Sequence, residues 1–255
     1  MSKPKHLSRS WIFGLHTVEF ALQTHPESVL ALWVQAGRHD QRLTRIIGLA
    51  EHAGIAVQTV ERAHLDKRVS ADARHQGVIA QVKNVPARQE SDLDAIVERS
   101  GSALLLLILD GVQDPHNLGA CLRTANAAGV QAVIAPRDNA AALTPVARKV
   151  ASGAAEVTPF IQVSNLGRCL KHLQSQGVWI IGTSGDADQN VFRTDFNRPV
   201  AFVMGAEGGG LRRLTRELCD ELVSIPMAGQ VESLNVSVAA GVCLYAVLQQ
   251  RKYKG

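Results

Sequence analysis

The 255-residue chain is 46% hydrophobic and 20% charged, with a formal net charge of +4, ordinary proportions for a soluble globular protein. No uninterrupted apolar stretch reaches the roughly 20 residues that span a bilayer. The basic start MSKPKHLSRSW lacks the apolar core and small-residue cleavage site of a secretory signal.

Residues 1–10 read as a flexible basic tail, and from Trp11 the pattern is mixed α/β. It predicts a short helix over Gly14–Leu22, a strand over Val29–Gln35 (VLALWVQ) and a helix over Asp40–His52, with Leu43, Ile46, Ile47 and Ala50 at helical spacing. Strands over Ile55–Val60 and Val78–Val82 follow, with a weak helix over Arg62–Val69 between them. Residues 11–83 thus form a small αβ module. Residues 1–90 hold twelve Lys and Arg against eight Asp and Glu, while residues 91–255 are balanced at fifteen each. The segregated excess points to a polyanionic partner for the first module. The module carries no aromatic stacking motif of the sheet-based RNA binders.

Polar and charged residues surround Pro86 in Lys83–Asp92, the composition of an interdomain linker or of a long surface loop in one domain. We take residues 84–100 as the linker and 101–255 as the second domain, with a helix over Asp92–Arg99. Leu104–Asp110 (LLLLILD) is a continuous apolar run, as in a parallel strand buried on both faces. Strand-then-helix units continue with a helix over Leu118–Ala128 closed by Gly129. A strand over Ala132–Ala135 precedes a helix over Pro145–Ser152, and a strand over Phe160–Val163 precedes a helix over Asn165–Gln176. Val178–Gly182, Val200–Met204 and Leu222–Ile225 supply three further strands. Such alternation predicts a parallel sheet with helices on both faces, whose ligands sit at the carboxyl ends of the strands.

Several loops at those ends hold more polar and glycine residues than packing requires. In the loop after Asp110, Asn117 is placed to cap the following helix. Arg123 lies among Ala120, Cys121, Leu122 and Ala125, surroundings in which a guanidinium needs a dedicated partner such as a phosphate. The neighbouring His116 is a weak candidate base. Gly205-Ala-Glu-Gly-Gly-Gly210 strips side chains from the backbone around one carboxylate, Glu207, which also suits a helix N-terminus. Its order is not that of a dinucleotide-binding turn. Arg212, Arg213 and Arg216 read as a solvated face or at most an aid in holding RNA. Ser233-Leu-Asn-Val-Ser237 enters a helix to about Gln250 that is apolar nearly all round, buried by a core or by a second subunit. Cys121, Cys169, Cys219 and Cys243 are scattered, with no CxxC pair or metal-like spacing with His, and fit reduced, mostly buried thiols of a cytosolic protein without a metal site.

Three segments, Asn117-Leu-Gly-Ala-Cys-Leu-Arg123, Phe202–Gly210 with Ile225-Pro-Met227, and Ser233–Ser237, resemble the three motifs of the SpoU group of ribose 2′-O-methyltransferases, in the knotted SPOUT class. The likeness covers Leu104–Gln250. The first module, with FGLHTVEFAL and RHQGVIAQV, looks like the ribosomal-protein-like RNA-binding domain that precedes the catalytic domain in many members. IPMAGQVESLNVSVAAGVCLYAV looks most like the bacterial members that methylate a guanosine ribose in the peptidyl-transferase loop of 23S ribosomal RNA. The resemblance implies S-adenosylmethionine as donor, held by backbone at Gly205, Ile225 and Leu234 with Gly208 and Met227 nearby. It also implies a deep trefoil knot, a homodimer through the C-terminal helix, and a catalytic set of Asn117, Arg123, Glu207, Ser233 and Asn235.

A ribose hydroxyl must lose its proton as it attacks. A guanidinium keeps its protons at neutral pH, so an arginine suits phosphate anchoring and support of the developing alkoxide better than base action. Glu207 or water then takes the proton, and the two asparagines position groups. Competing readings are the same chemistry on a tRNA or another rRNA nucleotide, a non-catalytic RNA-binding ribosome-assembly protein, and a dinucleotide-dependent oxidoreductase suggested only by the glycine-rich turn.

Overall fold

The computed structural model describes residues 9–24, 26–38, 40–69, 74–83, 89–206 and 208–252. The chain divides into two units, Met1–Pro86 and Ala87–Gly255.

In the first unit, β1 (Arg9–Phe13), α1 (Leu15–Thr24), β2 (Val29–Gln35), α2 (Gln41–His52), β3 (Ala56–Val60), α3 (Arg62–Asp66) and β4 (Val78–Lys83) follow in order. The sheet runs β1-β4-β2-β3, with β2 and β3 parallel and the other pairs antiparallel. Successive side chains on a strand point to opposite faces. Leu32 and Val34 accordingly join the core with Val18 and Leu22 of α1 and Leu43 and Ile46 of α2. Trp33, between them, packs on the other face with Leu65 and Ile79. Asp40 caps α2, its Oδ1 accepting the N–H of Leu43 at 3.0 Å. The expected tail over 1–10 is too long by two residues. Arg9 and Ser10 belong to β1, opposite Lys83 and Val82, a strand that the mixed sequence RSWIF does not announce. Residues 1–8 lie outside the described residues.

The second unit opens with α4 (Leu93–Ser100), then β5 (Leu105–Asp110), α5 (Pro115–Ala127), β6 (Ala132–Pro136), α6 (Pro145–Ala151), β7 (Phe160–Val163), α7 (Leu166–Ser175), β8 (Trp179–Thr183) and β9 (Gln189–Asn190). It continues with β10 (Val200–Gly205), α8 (Arg213–Glu217), β11 (Glu221–Ser224) and α9 (Val236–Lys252). Of the expected linker over 84–100, residues 84–88 lie outside the described residues. Its later part is folded, because α4 buries Leu93 and Ile96 in this unit's core.

All pairings in this sheet are parallel, in the order β7-β6-β5-β10-β8-β11-β9. Helices on both faces explain the unbroken apolar runs. Leu105, Leu107, Leu109, Val200, Phe202 and Met204 face a core shared with α5, α6 and α9. Leu104, Leu106, Ile108, Ala201 and Val203 face one shared with α4 and α7. From β5 the chain goes outward to β6 and β7 on one side, while β10 flanks β5 on the other. Strand order therefore reverses at β5, and the crevice this leaves lies beyond Asp110 and Gly205.

α5 packs against both α6 and α9. At the α6 contact, a Cβ on Gly119 would sit 2.4 Å from the Ala147 carbonyl oxygen. Gly119→Ala gains up to about 1 kcal/mol of helix propensity. Against that, backbone cannot rotate aside, and overpacking of this kind costs about 1–3 kcal/mol. We expect a net loss of stability, read as a lower urea midpoint for this unit; an unchanged or higher midpoint would show that the helices part easily.

The far end of α9 is tied to the opposite edge of the layer. Arg251 donates to the carbonyls of Ala103 at 2.7 Å, Leu104 at 3.1 Å and Phe196 at 2.9 Å. Gln250 accepts the Phe196 N–H at 2.6 Å and donates to the Thr194 carbonyl at 3.0 Å. These bonds fix the last turn of α9 at the amino ends of β5 and β10, so the helix spans the sheet from one end of its strands to the other.

Candidate active site

The Asp114-Pro115 pair starts α5. The Asp114 side chain accepts the His116 N–H at 2.9 Å, and Pro115 takes the first helical position, where its missing N–H is not needed. The same His116 N–H holds the Asp114 carboxyl below its usual range. Asn117 is therefore not the cap that its position suggested. It lies inside the first turn, with its side chain available for another contact.

That contact comes from the third motif. Asn235 Nδ2 donates to Asn117 Oδ1 at 2.9 Å, across 118 residues of sequence. Asn235 Oδ1 accepts the backbone N–H of Ser237 at 3.0 Å and its hydroxyl at 2.6 Å, while its carbonyl accepts the Ala239 N–H at 2.9 Å. Asn235 thus caps α9 with one side of its amide and meets Asn117 with the other. Capping and site-building are one arrangement here.

Arg123 is exposed on α5 and makes no hydrogen bond or ion pair with a described residue. Six residues at about 100° each turn it away from the Asn117 direction. The dedicated partner that its small apolar neighbours suggested is therefore not a described residue of this chain, which leaves a phosphate as the candidate.

At the end of β10, Ala206 and Gly210 exchange backbone hydrogen bonds of 3.1 and 3.0 Å, closing a tight turn. Gly208 and Gly210 have φ of 74° and 60°, which favour glycine. Gly205 is constrained by space instead, since a Cβ there would fall 2.1 Å from the Gly210 carbonyl carbon. Glu207 lies outside the described residues. Of the other donor-site candidates, Ile225 packs on the core shared with α9, Leu234 is half-buried, and Met227 and Ser233 are exposed.

A feature that the sequence reading missed lies beside this turn. Asp110, ending the apolar strand β5, is wholly buried. Its Oδ2 accepts the backbone N–H of Arg212 at 3.0 Å, and its Oδ1 faces Arg212 Nε at 3.4 Å. The available signal was a carboxylate closing an otherwise apolar strand. Of the other two arginines, Arg216 pairs with Asp186 at 3.0 Å and Arg213 with Glu217 one turn on, as a solvated face would.

None of the four cysteines is in a disulfide. Burial pushes the thiols of Cys169, Cys219 and Cys243 up to about 12, leaving them protonated and poorly nucleophilic. Among the described residues no three His, Cys, Asp or Glu side chains are grouped to hold a metal, and no helix is long and apolar enough to cross a membrane.

Residues 104–245 match the SpoU rRNA Methylase family. The chain belongs to that family. Residues 11–87 match the RNA 2′-O ribose methyltransferase substrate-binding domain, which gives the first unit of this SpoU chain its own counterpart. The chain is 52% identical to a 23S rRNA (guanosine-2′-O-)-methyltransferase RlmB of Shewanella oneidensis, over 94% of this chain and 97% of that one. It is 53% identical to the Yersinia pestis protein of the same description, over 95% and 98%. Among solved structures, it resembles the SpoU methyltransferase AviRb of Streptomyces viridochromogenes with a TM-score of 0.74 at 25% identity, covering 95% of this chain and 90% of that one. An RNA 2′-O ribose methyltransferase gives 0.73 at 27%, covering 96% and 90%.

Proposed function

We propose that this SpoU chain transfers a methyl group from S-adenosylmethionine to the ribose 2′-hydroxyl of a guanosine in the peptidyl-transferase loop of 23S rRNA. The observation that carries the reading is the Asn235–Asn117 bond, which closes the first and third motifs on each other beside the glycine turn. The turn fits the donor in kind. It offers backbone with no side chain at Gly205, where any Cβ would collide with Gly210, and open space at Gly208. Backbone at Gly205, Ile225 and Leu234 would hold the donor, with Gly208 and Met227 alongside.

When bound, S-adenosylmethionine supplies a sulfonium methyl that is open to in-line attack. The chain's own residues must orient the acceptor and manage its proton. Asn117 and Asn235 fix one wall by their shared hydrogen bond. Arg123, without a described intramolecular partner, offers its fork to a phosphate of the RNA and supports charge growing on the 2′-oxygen. Ser233 adds a hydroxyl, and Glu207 or water accepts the proton.

The wider reading follows the family. The first unit brings the RNA, in line with its match to a substrate-binding domain and the basic excess in residues 1–90. α9 forms a homodimer interface, supported by Val238 and Tyr245, which leave apolar surface 52% and 49% exposed. The segment between β11 and α9 threads a trefoil knot, a reading supported by the return of Asn235 to Asn117. An rRNA substrate places the protein in the cytoplasm.

The test uses 23S rRNA from cells lacking the protein, labelled donor and the full chain, with the modified nucleotide mapped. One ribose methyl on a guanosine of the peptidyl-transferase loop is expected. Label in tRNA, on a base, or nowhere would overturn the assignment.

A further inference from the structure

Beside the glycine turn lies an open cleft of about 430 Å³ lined by Asp110, Gly111, Gln113, Asn139, Ala206, Gly209, Gly210 and Arg212. Its charged groups are unequal in exposure. The Asp110 side chain is 0% exposed, whereas that of Arg212 is 47% exposed. Among the described residues, what the cleft presents is therefore a guanidinium among uncharged amides and bare backbone.

That guanidinium is held in place. The backbone N–H of Arg212 is anchored on Asp110 Oδ2, and its Nε lies 3.4 Å from Oδ1. Its Nη2 lies so close to Gly111 that a Cβ there would come within 3.3 Å, and Gly111 has a φ of 84° that favours glycine in any case. Asp110 Oδ1 is buried without a hydrogen-bond partner. A buried carboxylate oxygen left in that state is unfavourable for folding alone. It lies against Nε without satisfying a full hydrogen bond, while the half-exposed guanidinium lines the cleft.

We propose that Arg212 is a second phosphate-binding residue for the RNA strand at the target nucleotide, and that Asp110 is the positioning residue that presets its guanidinium. A planar fork held ready loses little freedom on meeting phosphate oxygens. Gln113 and Asn139 give the cleft amide donors and acceptors beside that anion, as a phosphate-linked nucleoside needs. The proposal rests on the methyl-transfer reading.

The test is steady-state methylation of 23S rRNA by the full chain with Arg212→Ala, Arg212→Lys, Asp110→Asn and Asp110→Asn/Arg212→Ala, each checked for an unchanged melting temperature. Arg212→Ala is expected to raise KM for RNA about tenfold with kcat within about twofold. The slope of log(kcat/KM) against log salt should become shallower by about 0.7, one single-strand phosphate contact. Arg212→Lys keeps the charge and recovers part of the loss. Asp110→Asn raises KM alone and adds nothing in the double variant. An unchanged KM and salt slope for folded Arg212→Ala would overturn the proposal. So would weakened binding of S-adenosylhomocysteine by calorimetry, since the anion held would then be the donor's carboxylate. Wild-type chain inactive on RNA would instead sink the methyl-transfer reading itself.

Discussion

Arg123→Ala is expected to lower kcat for methyl transfer about 10²–10³-fold, the loss that follows removal of one preorganised group facing a developing oxyanion. Arg123 is exposed on α5 and bonds to no described residue, so the truncation removes no bond to a described residue and the fold should survive. Calorimetry should show S-adenosylhomocysteine bound as tightly as by wild type, because donor contacts are assigned to backbone elsewhere. Arg123→Lys should recover only a small part, since a point charge does not replace a two-pronged fork. If folded Arg123→Ala keeps full kcat, the role assigned to Arg123 is wrong. If donor binding falls as well, Arg123 belongs to the donor site.

The second large effect is expected at Gly205. An alanine Cβ there would lie 2.1 Å from the Gly210 carbonyl carbon, 2.3 Å from its oxygen and 2.4 Å from the Leu211 nitrogen. All three are backbone atoms, so no rotamer change relieves the clash. The turn closed by Ala206 and Gly210 must open or shift. Strain of about 1–3 kcal/mol corresponds to roughly a 5–150-fold loss of donor affinity if it falls on the bound geometry. Titration calorimetry with S-adenosylhomocysteine reads this directly. Gly185→Ala is the matched control, because a Cβ there meets nothing within 4 Å; it should bind as wild type does. Equal affinities for the two variants would remove Gly205 from the donor site.

Much of the sheet was legible because burial on both faces leaves a mark in the chain itself. β5 and β10 read as unbroken apolar runs, and β2 and β7 were placed to the residue. The two-residue β9 and the mixed β1 were not, since too few side chains report a face. Asn117 was misread as a cap because Asn favours that position, whereas Asp114-Pro115 carries the stronger signal for a helix start. Pairings across long separations left no local trace. Neither the Asn117–Asn235 bond nor the Asp110–Arg212 bond, the latter spanning 102 residues, can be found by spacing. The motifs named Asn117 and Asn235 as catalytic participants only through resemblance, Arg212 read only as part of a solvated face or an aid in holding RNA, and nothing singled out Asp110.

The clasp of Arg251 on Ala103, Leu104 and Phe196 has a bearing on when activity begins during biosynthesis. A ribosome makes Asn117 long before Asn235, and α9 is seated only after Arg251 has emerged. Until then the sheet's edges and the first motif can form, yet the wall that Asn235 completes cannot. Loop closure over more than a hundred residues is slow compared with local helix formation. A newly made chain should therefore fold its sheet first and become competent as a late, separate event.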